Sequence, residues 1–182
     1  AGWLDAQKTS PYAFYQFWLN SADADVEKFL KLFTFMTGLE ISELVASSQQ
    51  APEQRLAQRE LARRVTGLVH GDEAVSSAER ISTSLFGGDE ASLRPEDFLQ
   101  LRQDGLPSIA LAPGEGLLNI MVAVGAAKSA GDARKLVQGK GVRLNGLLVE
   151  DPKWVLSFDD AYFGEYFVLR KGKKQHYLLV RS

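Results

Sequence analysis

A cluster of basic and amide side chains within residues 129–149 has the chemistry to bind a polyanion. The cluster is made up of Arg134, Lys135, Gln138, Lys140, Arg143 and Asn145. Guanidinium and ammonium groups contact phosphates, and such contacts supply salt-dependent affinity with little sequence information. The spacing predicts that the basic members project from one compact surface. The alternative is a generic helix and hairpin whose charges merely face solvent.

A short helix that leads into a β-hairpin must position this cluster. Apolar residues recur at helical spacing over residues 133–137, so the basic residues fall on the opposite side of the helix. Gly139 and Gly141 then end the helix, because glycine accepts the backbone angles of a helix end. Residues 142–148 have the two-residue period of strands, and Asn145-Gly146 is typical of a tight hairpin turn.

A second basic turn lies further along the chain. Residues 166–170 and 176–181 have the pattern of two strands, and the turn between them carries Lys171, Lys173 and Lys174. Residues 128–182 contain 11 Lys/Arg and 6 Asp/Glu, whereas residues 1–127 contain 10 and 17. A basic module on an acidic body indicates a polyanionic partner. Uneven surface charge without any partner is the plainer alternative.

The first cluster resembles a known RNA-binding family. Its sequence, S-A-G-D-A-R-K-L-V-Q-G-K-G-V-R-L-N-G over residues 129–146, is similar to the small domain named after ribosomal protein S-four. The similarity covers the helix, the glycine break, the strand and the turn. It implies that structured RNA is the polyanion.

An aromatic segment, residues 12–18, forms the first predicted helix. Its aromatic side chains surround the helix almost completely, and a helix that is apolar on nearly all faces is buried from several sides. We expect the chain to cover this helix incompletely. The expectation is that Tyr15, Phe17 and Trp18 are partly exposed.

The segment K-T-S-P-Y-A-F-Y-Q-F-W-L-N-S-A-D-A-D-V, residues 8–26, resembles bacterial-type tyrosyl-tRNA synthetases. R-R-V-T-G-L-V-H-G (63–71) and L-R-K-G-K-K-Q-H-Y-L-L-V (169–180) extend the resemblance along essentially the whole chain. In that family the first segment leads from the catalytic domain into a helical anticodon-binding domain, and an S-four-like domain follows. The resemblance identifies the chain with this C-terminal, tRNA-binding part.

The resemblance implies tRNA(Tyr) as the partner and a role in protein synthesis. The family's H-I-G-H-type and K-F-G-K-T signatures do not occur in the sequence. No catalytic residue and no cofactor is therefore expected here, and ATP and Mg are implied only for a missing N-terminal catalytic domain. Dimerisation in this family runs through that domain, so we expect a homodimeric parent protein and a monomeric fragment.

Two aspartates are candidates for contact with the anticodon. Family resemblance implies that an aspartate at the start of the second helix reads the first anticodon base, and the candidates are Asp23 and Asp25, with a preference for Asp25. Unstacked anticodon bases can be read by hydrogen bonds, and a carboxylate accepts them from a guanine edge. Either aspartate is equally suited to cap the helix.

A row of arginines forms a third candidate site. Pro52 is predicted to open a helix that runs to His70, with Arg55, Arg59 and Arg63 at positions i, i+4 and i+8. The row has the geometry to contact a phosphate backbone. A solvated helix face explains it equally well.

These elements predict a mainly α-helical bundle followed by a small α+β RNA-binding module. Residues 1–104 are assigned to the helical anticodon-binding domain and residues 117–182 to the S-four-like domain. Residues 105–116 are rich in glycine and proline and are assigned to the linker, of which residues 108–111 are expected to be extended.

Composition excludes several other classes of site. The chain has no cysteine, so disulfides and cysteine-based zinc sites are absent and a reducing, cytoplasmic compartment is expected. Its two histidines, His70 and His176, lack the spacing of metal ligands, and no metal site is predicted. No apolar run approaches the length of a membrane span.

Two alternatives remain open on the residues alone. One is a stand-alone module that binds structured RNA in another pathway, such as splicing. The other is a protein-interaction domain, which the aromatic helix would favour.

Overall fold

The computed structural model describes residues 8–182, and the chain divides into two compact units, Ala1–Glu79 and Arg80–Ser182. The first unit is helical in its described part, and the second combines helices with a five-stranded sheet. The predicted fold class, a helical bundle followed by a small α+β module, is confirmed. No helix within residues 8–182 is long and apolar enough to cross a membrane.

The first unit is built on five helices, of which the last continues into the second unit. They are α1 (Pro11–Leu19), α2 (Asp23–Phe33), α3 (Gly38–Gln50), α4 (Leu56–His70) and α5 (Asp72–Phe86). Ser10 caps α1 by accepting a hydrogen bond of 3.1 Å from Ala13 N, and Pro11 occupies the first turn. Thr37 and Glu40 form a capping box at the start of α3.

The aromatic helix α1 forms the centre of this unit's core. Tyr15 and Trp18 are only 4% and 7% exposed, so the expectation that they are partly exposed is wrong. The Trp18 ring lies 5.7 Å from the ring of Phe29 and 5.1 Å from that of Phe33, so α2 covers it. Phe17 is half-buried. Residues of this unit therefore cover most of the aromatic side chains of α1, which we expected the chain to cover incompletely.

The start of α4 differs from the predicted helix. Residues Pro52–Gln54 form a separate 3₁₀ turn, and Arg55 follows in the left-handed region with φ of 54°. Helix α4 begins only at Leu56. A left-handed residue cannot continue a right-handed helix, so Arg55 does not share a helix face with Arg59 and Arg63.

The second unit is organised around its sheet. Its further helices are α6 (Pro95–Gln100), which runs on as a π-helical turn (Leu101–Gly105), α7 (Leu117–Ala123) and α8 (Ala130–Gln138), with 3₁₀ turns at Glu90–Ser92 and Phe158–Asp160. Its strands are β1 (Ser108–Leu111), β2 (Val142–Leu144), β3 (Leu147–Leu148), β4 (Tyr166–Lys171) and β5 (Gln175–Arg181). The order is β1-β5-β4-β2-β3, with β1 parallel to β5 and the other pairs antiparallel.

Strand β1 lies inside the segment assigned to the linker, residues 105–116. Residues 108–111 are extended and pair with β5 over the register from Ser108–Leu178 to Leu111–Arg181. The hydrogen bond of 2.8 Å from Leu178 N to Pro107 O continues this pairing. A third of the segment, residues 108–111, is therefore part of a sheet rather than a free connection.

Both faces of the sheet are covered within this unit. Phe167, Leu169 and Leu179 point to one face and share a buried core with α7 and α8. The alternate residues, such as Val168 and Leu178, are fully buried on the other face. There the ring of Phe98 from α6 stacks on Tyr166 at 4.3 Å, with the two rings nearly parallel.

A buried ion pair fixes α6 to α5. The carboxylate of Asp97 is fully buried and accepts hydrogen bonds from Arg80 Nε at 2.9 Å and Nη2 at 2.7 Å. It also accepts a hydrogen bond of 2.9 Å from Arg94 N, which caps α6. One carboxylate thus satisfies a guanidinium and a helix start together.

We expect Asp97→Ala to destabilise the chain by about 3 kcal/mol, because it leaves the half-buried guanidinium of Arg80 without its partner. The measurement is the free energy of unfolding in urea. Glu27→Ala is the control, since its pair with Lys31 at 3.6 Å is exposed and should contribute less than about 1 kcal/mol. Similar losses in both variants would contradict the structural role of Asp97.

Candidate nucleic-acid interface

The basic surface of the second unit is formed by helix α8, the α7–α8 loop before it and the β4–β5 turn. Backbone and side-chain hydrogen bonds hold these segments together. Gly172 N donates to Gly141 O at 2.9 Å, so the β4–β5 turn lies beside the end of α8. Lys171 Nζ donates to Ala126 O at 2.9 Å and ties the same turn to the loop between α7 and α8. Three segments that are distant in sequence therefore meet.

Helix α8 presents its polar side to solvent as predicted from its periodicity. Ala133 and Val137 are fully buried, whereas Arg134, Lys135 and Gln138 are exposed. Ser129 caps the helix by accepting a hydrogen bond of 3.1 Å from Asp132 N. The packing of one face thus fixes the orientation of the cationic face.

The glycine-rich end of α8 places a further cation on this surface. Lys140 is exposed and has a left-handed backbone with φ of 60°. Its N–H donates to Val137 O at 3.1 Å, and Gly141 N donates to Leu136 O at 3.0 Å. These bonds satisfy the last carbonyls of the helix, so the residue projects from a closed helix end.

The lysines of the β4–β5 turn divide into two groups. Lys173 and Lys174 are exposed, whereas Lys171 is half-buried and its ammonium group is held by Ala126 O. Lys171 therefore holds the turn against the α7–α8 loop, whereas Lys173 and Lys174 add exposed positive charge to the surface. Lys128, an exposed cation two residues after Ala126, also belongs to this surface. No sequence pattern indicates its place, because the contact between Lys171 and Ala126 that brings its loop here depends on the tertiary structure.

Arg143 lies apart from the other cations of the predicted cluster. Val142 and Leu144 are buried in the core beneath α7 and α8, so the intervening Arg143 points to the opposite face of the sheet. Its Nη1 donates to Gly146 O at 3.1 Å, within its own hairpin. The prediction of one surface was therefore too broad for this residue.

Asn145 uses its amide within the fold. Its Oδ1 accepts a hydrogen bond of 2.8 Å from Val168 N, and its Nδ2 donates to Tyr166 O at 3.3 Å and to Asp160 O at 3.4 Å. Its φ of 49° matches the predicted turn with Gly146. The side chain fastens the β2–β3 turn to β4.

His176 follows the basic turn without adding to its charge. Its Nδ1 lies 3.1 Å from Lys174 O, and its ring packs edge-on against Phe86 at 5.5 Å. Burial lowers the pKa of His176 below its usual value. The imidazole is thus neutral at pH 7, and the charge of the turn comes from its lysines.

In the first unit, the structure distinguishes the two candidate aspartates. Asp23 lines a cavity of about 130 Å³ together with Val26, Val45, Ser48, Gln49, Pro52 and Ala57. Its side chain is 71% exposed. Asp25 does not line this cavity, and its carboxylate lies 3.9 Å from Lys28 Nζ on the helix surface.

The three arginines of the predicted row are in different environments. Arg55 donates to backbone carbonyls of the α1–α2 connection, so its guanidinium is occupied. Arg63 lies 3.1 Å from Glu60 and 3.0 Å from Glu79, which largely neutralise it. Arg59 is exposed and is the member best placed to meet a phosphate.

We expect Asn145→Ala to destabilise the chain by about 2–3 kcal/mol. The change leaves the buried Val168 N–H without its acceptor and puts alanine in a left-handed conformation. Urea unfolding measures the loss, and Gln138→Ala on the exposed face of α8 is the control. A variant of normal stability with weakened RNA affinity would instead make Asn145 an RNA contact.

Comparison with known proteins covers nearly all of the sequence. Residues 97–179 match the tyrosine–tRNA ligase SYY-like C-terminal domain, and residues 1–87 match the class I tRNA synthetases (W and Y). The tyrosine–tRNA ligase of Erwinia tasmaniensis is 48% identical over 98% of this chain, and that of Laribacter hongkongensis is 46% identical over 99%.

A solved structure, a C-terminally truncated mitochondrial tyrosyl-tRNA synthetase from Coccidioides posadasii, is 42% identical over 43% of this chain and 21% of its own, with a TM-score of 0.41. The chain spans about two fifths of the length of the curated relatives, 42% of the Erwinia protein and 43% of the Laribacter protein, and matches their C-terminal part. The chain therefore belongs to the tyrosine–tRNA ligase family.

Proposed function

We propose that this chain binds tRNA(Tyr) as the C-terminal part of a longer tyrosine–tRNA ligase. The observation that carries the proposal is the basic surface, defined as the exposed cations of the α7–α8 loop, of α8 and its glycine-rich end, and of the β4–β5 turn. They are Lys128, Arg134, Lys135, Lys140, Lys173 and Lys174. The match to the family favours this function over a splicing module or a protein-interaction domain, which charge alone would leave open.

The basic surface contacts the phosphates of the anticodon stem and the long variable arm. Its cations lie on α8 and its glycine-rich end, on the α7–α8 loop and on the β4–β5 turn. They are exposed, and no carboxylate of the described residues pairs with them as Glu79 pairs with Arg63. Such contacts position an RNA backbone and contribute most of the salt-dependent affinity. Cations on a helix, a loop and a turn suit the phosphate backbone of a structured RNA, which proteins recognise largely by shape and backbone contacts.

Base recognition belongs to the first unit, at Asp23. The cavity beside Asp23 has apolar walls from Val26, Val45 and Pro52 and one carboxylate at its edge. A carboxylate accepts hydrogen bonds from the edge of a guanine, and apolar walls suit the flat faces of a base. The geometry thus supports Asp23 over Asp25 for the first anticodon base.

The catalytic step takes place outside this chain. An N-terminal catalytic domain, which would bind ATP and Mg and form the homodimer, is the implied partner in the cytoplasm. The fragment itself is a monomer. Its role is to hold tRNA(Tyr) so that the acceptor end reaches that catalytic site.

We expect no tyrosine-dependent ATP–pyrophosphate exchange from the purified chain, because the sequence has neither of the family's nucleotide-binding signatures. The assay is the exchange of labelled pyrophosphate into ATP, and a full-length ligase serves as the positive control. Measurable exchange that depends on tyrosine would overturn the expectation.

We expect the double variant Arg134→Ala and Lys135→Ala to weaken binding to tRNA(Tyr) and to other structured RNAs alike. Each lost phosphate contact should lower the slope of log K against log salt by about 0.7–0.9. Folding should be nearly intact, because both side chains are exposed opposite the buried Ala133 and Val137. A salt titration of binding, followed by fluorescence anisotropy, measures the slope.

The matched control removes two exposed lysines from a helix of the first unit, Lys28→Ala and Lys31→Ala. This variant changes the net charge equally but should keep the full salt slope. If the α8 variant also keeps the full slope, the basic surface is a solvated face and the proposed site is wrong.

A further inference from the structure

Gln58 is a fully buried amide in the first turn of α4, and it contacts the carboxylate of Asp23. Its Nε2 donates to Asp23 Oδ1 at 2.6 Å and to Ser21 O at 3.3 Å. Both partners are acceptors, so the amide can have only one orientation here, with its nitrogen toward Asp23. The contact joins the core of the unit to a side chain that is otherwise largely exposed.

Arg55 restrains the same connection from the other side. Its Nη2 donates to Leu19 O at 2.9 Å and to Ser21 O at 2.7 Å, and its Nη1 lies 3.8 Å from Asp23 Oδ1. The left-handed backbone of Arg55 brings the guanidinium to these carbonyls just before α4 begins. The α1–α2 connection is thus held by two residues that lie close together in the chain.

These contacts leave one oxygen of the carboxylate available. Oδ1 of Asp23 is occupied by Gln58 and Arg55, whereas no residue of the described chain donates a hydrogen bond to Oδ2. Asp23 also lines the cavity of about 130 Å³. A fixed Oδ1 therefore limits the directions from which Oδ2 can accept a hydrogen bond from a bound base.

The arrangement has a cost within the core. The Oε1 atom of Gln58 is buried and finds no hydrogen-bond partner among residues 8–182, which is unfavourable for folding. An apolar side chain of the same size would fill the space without this cost. Polar groups that oppose stability are expected where they serve a site rather than the fold.

We propose that Gln58 is a positioning residue that fixes the Asp23 carboxylate for recognition of guanine, whose N1–H and N2 amino group both donate hydrogen bonds from one edge of the base. The inference rests on the proposed function of Asp23 as the reader of the first anticodon base. Gln58 itself contacts no RNA. Its contribution is to specificity, because a freely rotating carboxylate would accept hydrogen bonds from solvent and base without a fixed geometry.

The test compares Gln58→Met with the unchanged chain. Methionine has nearly the volume of glutamine and removes the unpaired Oε1, so the variant should fold with little change in stability. Binding is measured to two tRNA(Tyr) transcripts, with guanine or adenine as the first anticodon base. The ratio of the two affinities is compared across a salt titration, and thermal unfolding verifies the fold.

We expect Gln58→Met to lower the guanine-over-adenine ratio by about three- to tenfold, in the range of one typical hydrogen bond, with an unchanged salt slope. Asp23→Asn should abolish the preference. Gln54→Met makes the same substitution at an exposed glutamine and should leave the ratio unchanged. A purely structural role of Gln58 would lower the melting temperature without changing the ratio.

Two results would overturn the inference in distinguishable ways. If Gln58→Met keeps the full ratio while Asp23→Asn loses it, Asp23 reads the base without help from Gln58, and the proposed function stands. If Asp23→Asn keeps the same ratio as the unchanged chain, Asp23 is not the reader, and both the proposed role of Asp23 and the inference are wrong.

Discussion

The hydrogen bond from Gly172 N to Gly141 O is the contact on which the basic surface depends. It extends the pairing of β2 with β4 by one step beyond the ends of the strands, so that two glycine turns lie side by side. One turn carries the exposed Lys140 and follows directly on helix α8, and the other carries the exposed Lys173 and Lys174. Because glycine at 172 has φ of 65°, the chain can reverse there without strain and still make the bond. The charge density of the surface thus follows from backbone pairing.

Local patterns in the sequence were sufficient for the elements of this module. The period of residues 133–137 predicts the buried side of α8, and Asn145-Gly146 predicts the turn that the positive φ values confirm. The sequence was less informative about the face of the sheet on which each side chain lies. Arg143 is near Lys140 in the chain, yet strand alternation places it on the other side of the sheet, where proximity in sequence no longer means proximity in space. Lys171 was identified as a cation, but its bond to Ala126 O depends on tertiary structure.

In the first unit, too, local features could be predicted from the sequence, whereas contacts between residues distant in the chain could not. Aromatic density marks α1 as a core helix, but the sequence cannot say that Phe29 and Phe33 of α2 cover Trp18. The spacing of Arg55 from Arg59 matches a helix, whereas the left-handed conformation of Arg55 removes it from that helix. No sequence motif marks Gln58, because its burial and its contact with the Asp23 carboxylate depend on the tertiary structure. The sequence left Asp23 and Asp25 as candidates with a preference for Asp25, and only the folded structure shows that Asp23, but not Asp25, lines a cavity.

The strand order has a consequence for the folding of the second unit during its synthesis. Strand β5 has β1 on one side and β4 on the other, yet it is the last of the five in the chain. During synthesis, β1 emerges first and has no partner until residues 175–181 follow. Parallel pairing between such distant segments closes a long loop and is slow compared with the formation of α8 or the hairpins. Until β5 has left the ribosome, the nascent unit therefore exposes the unpaired backbone edge of β4 and apolar core residues of the sheet, and it is most vulnerable to aggregation in that interval.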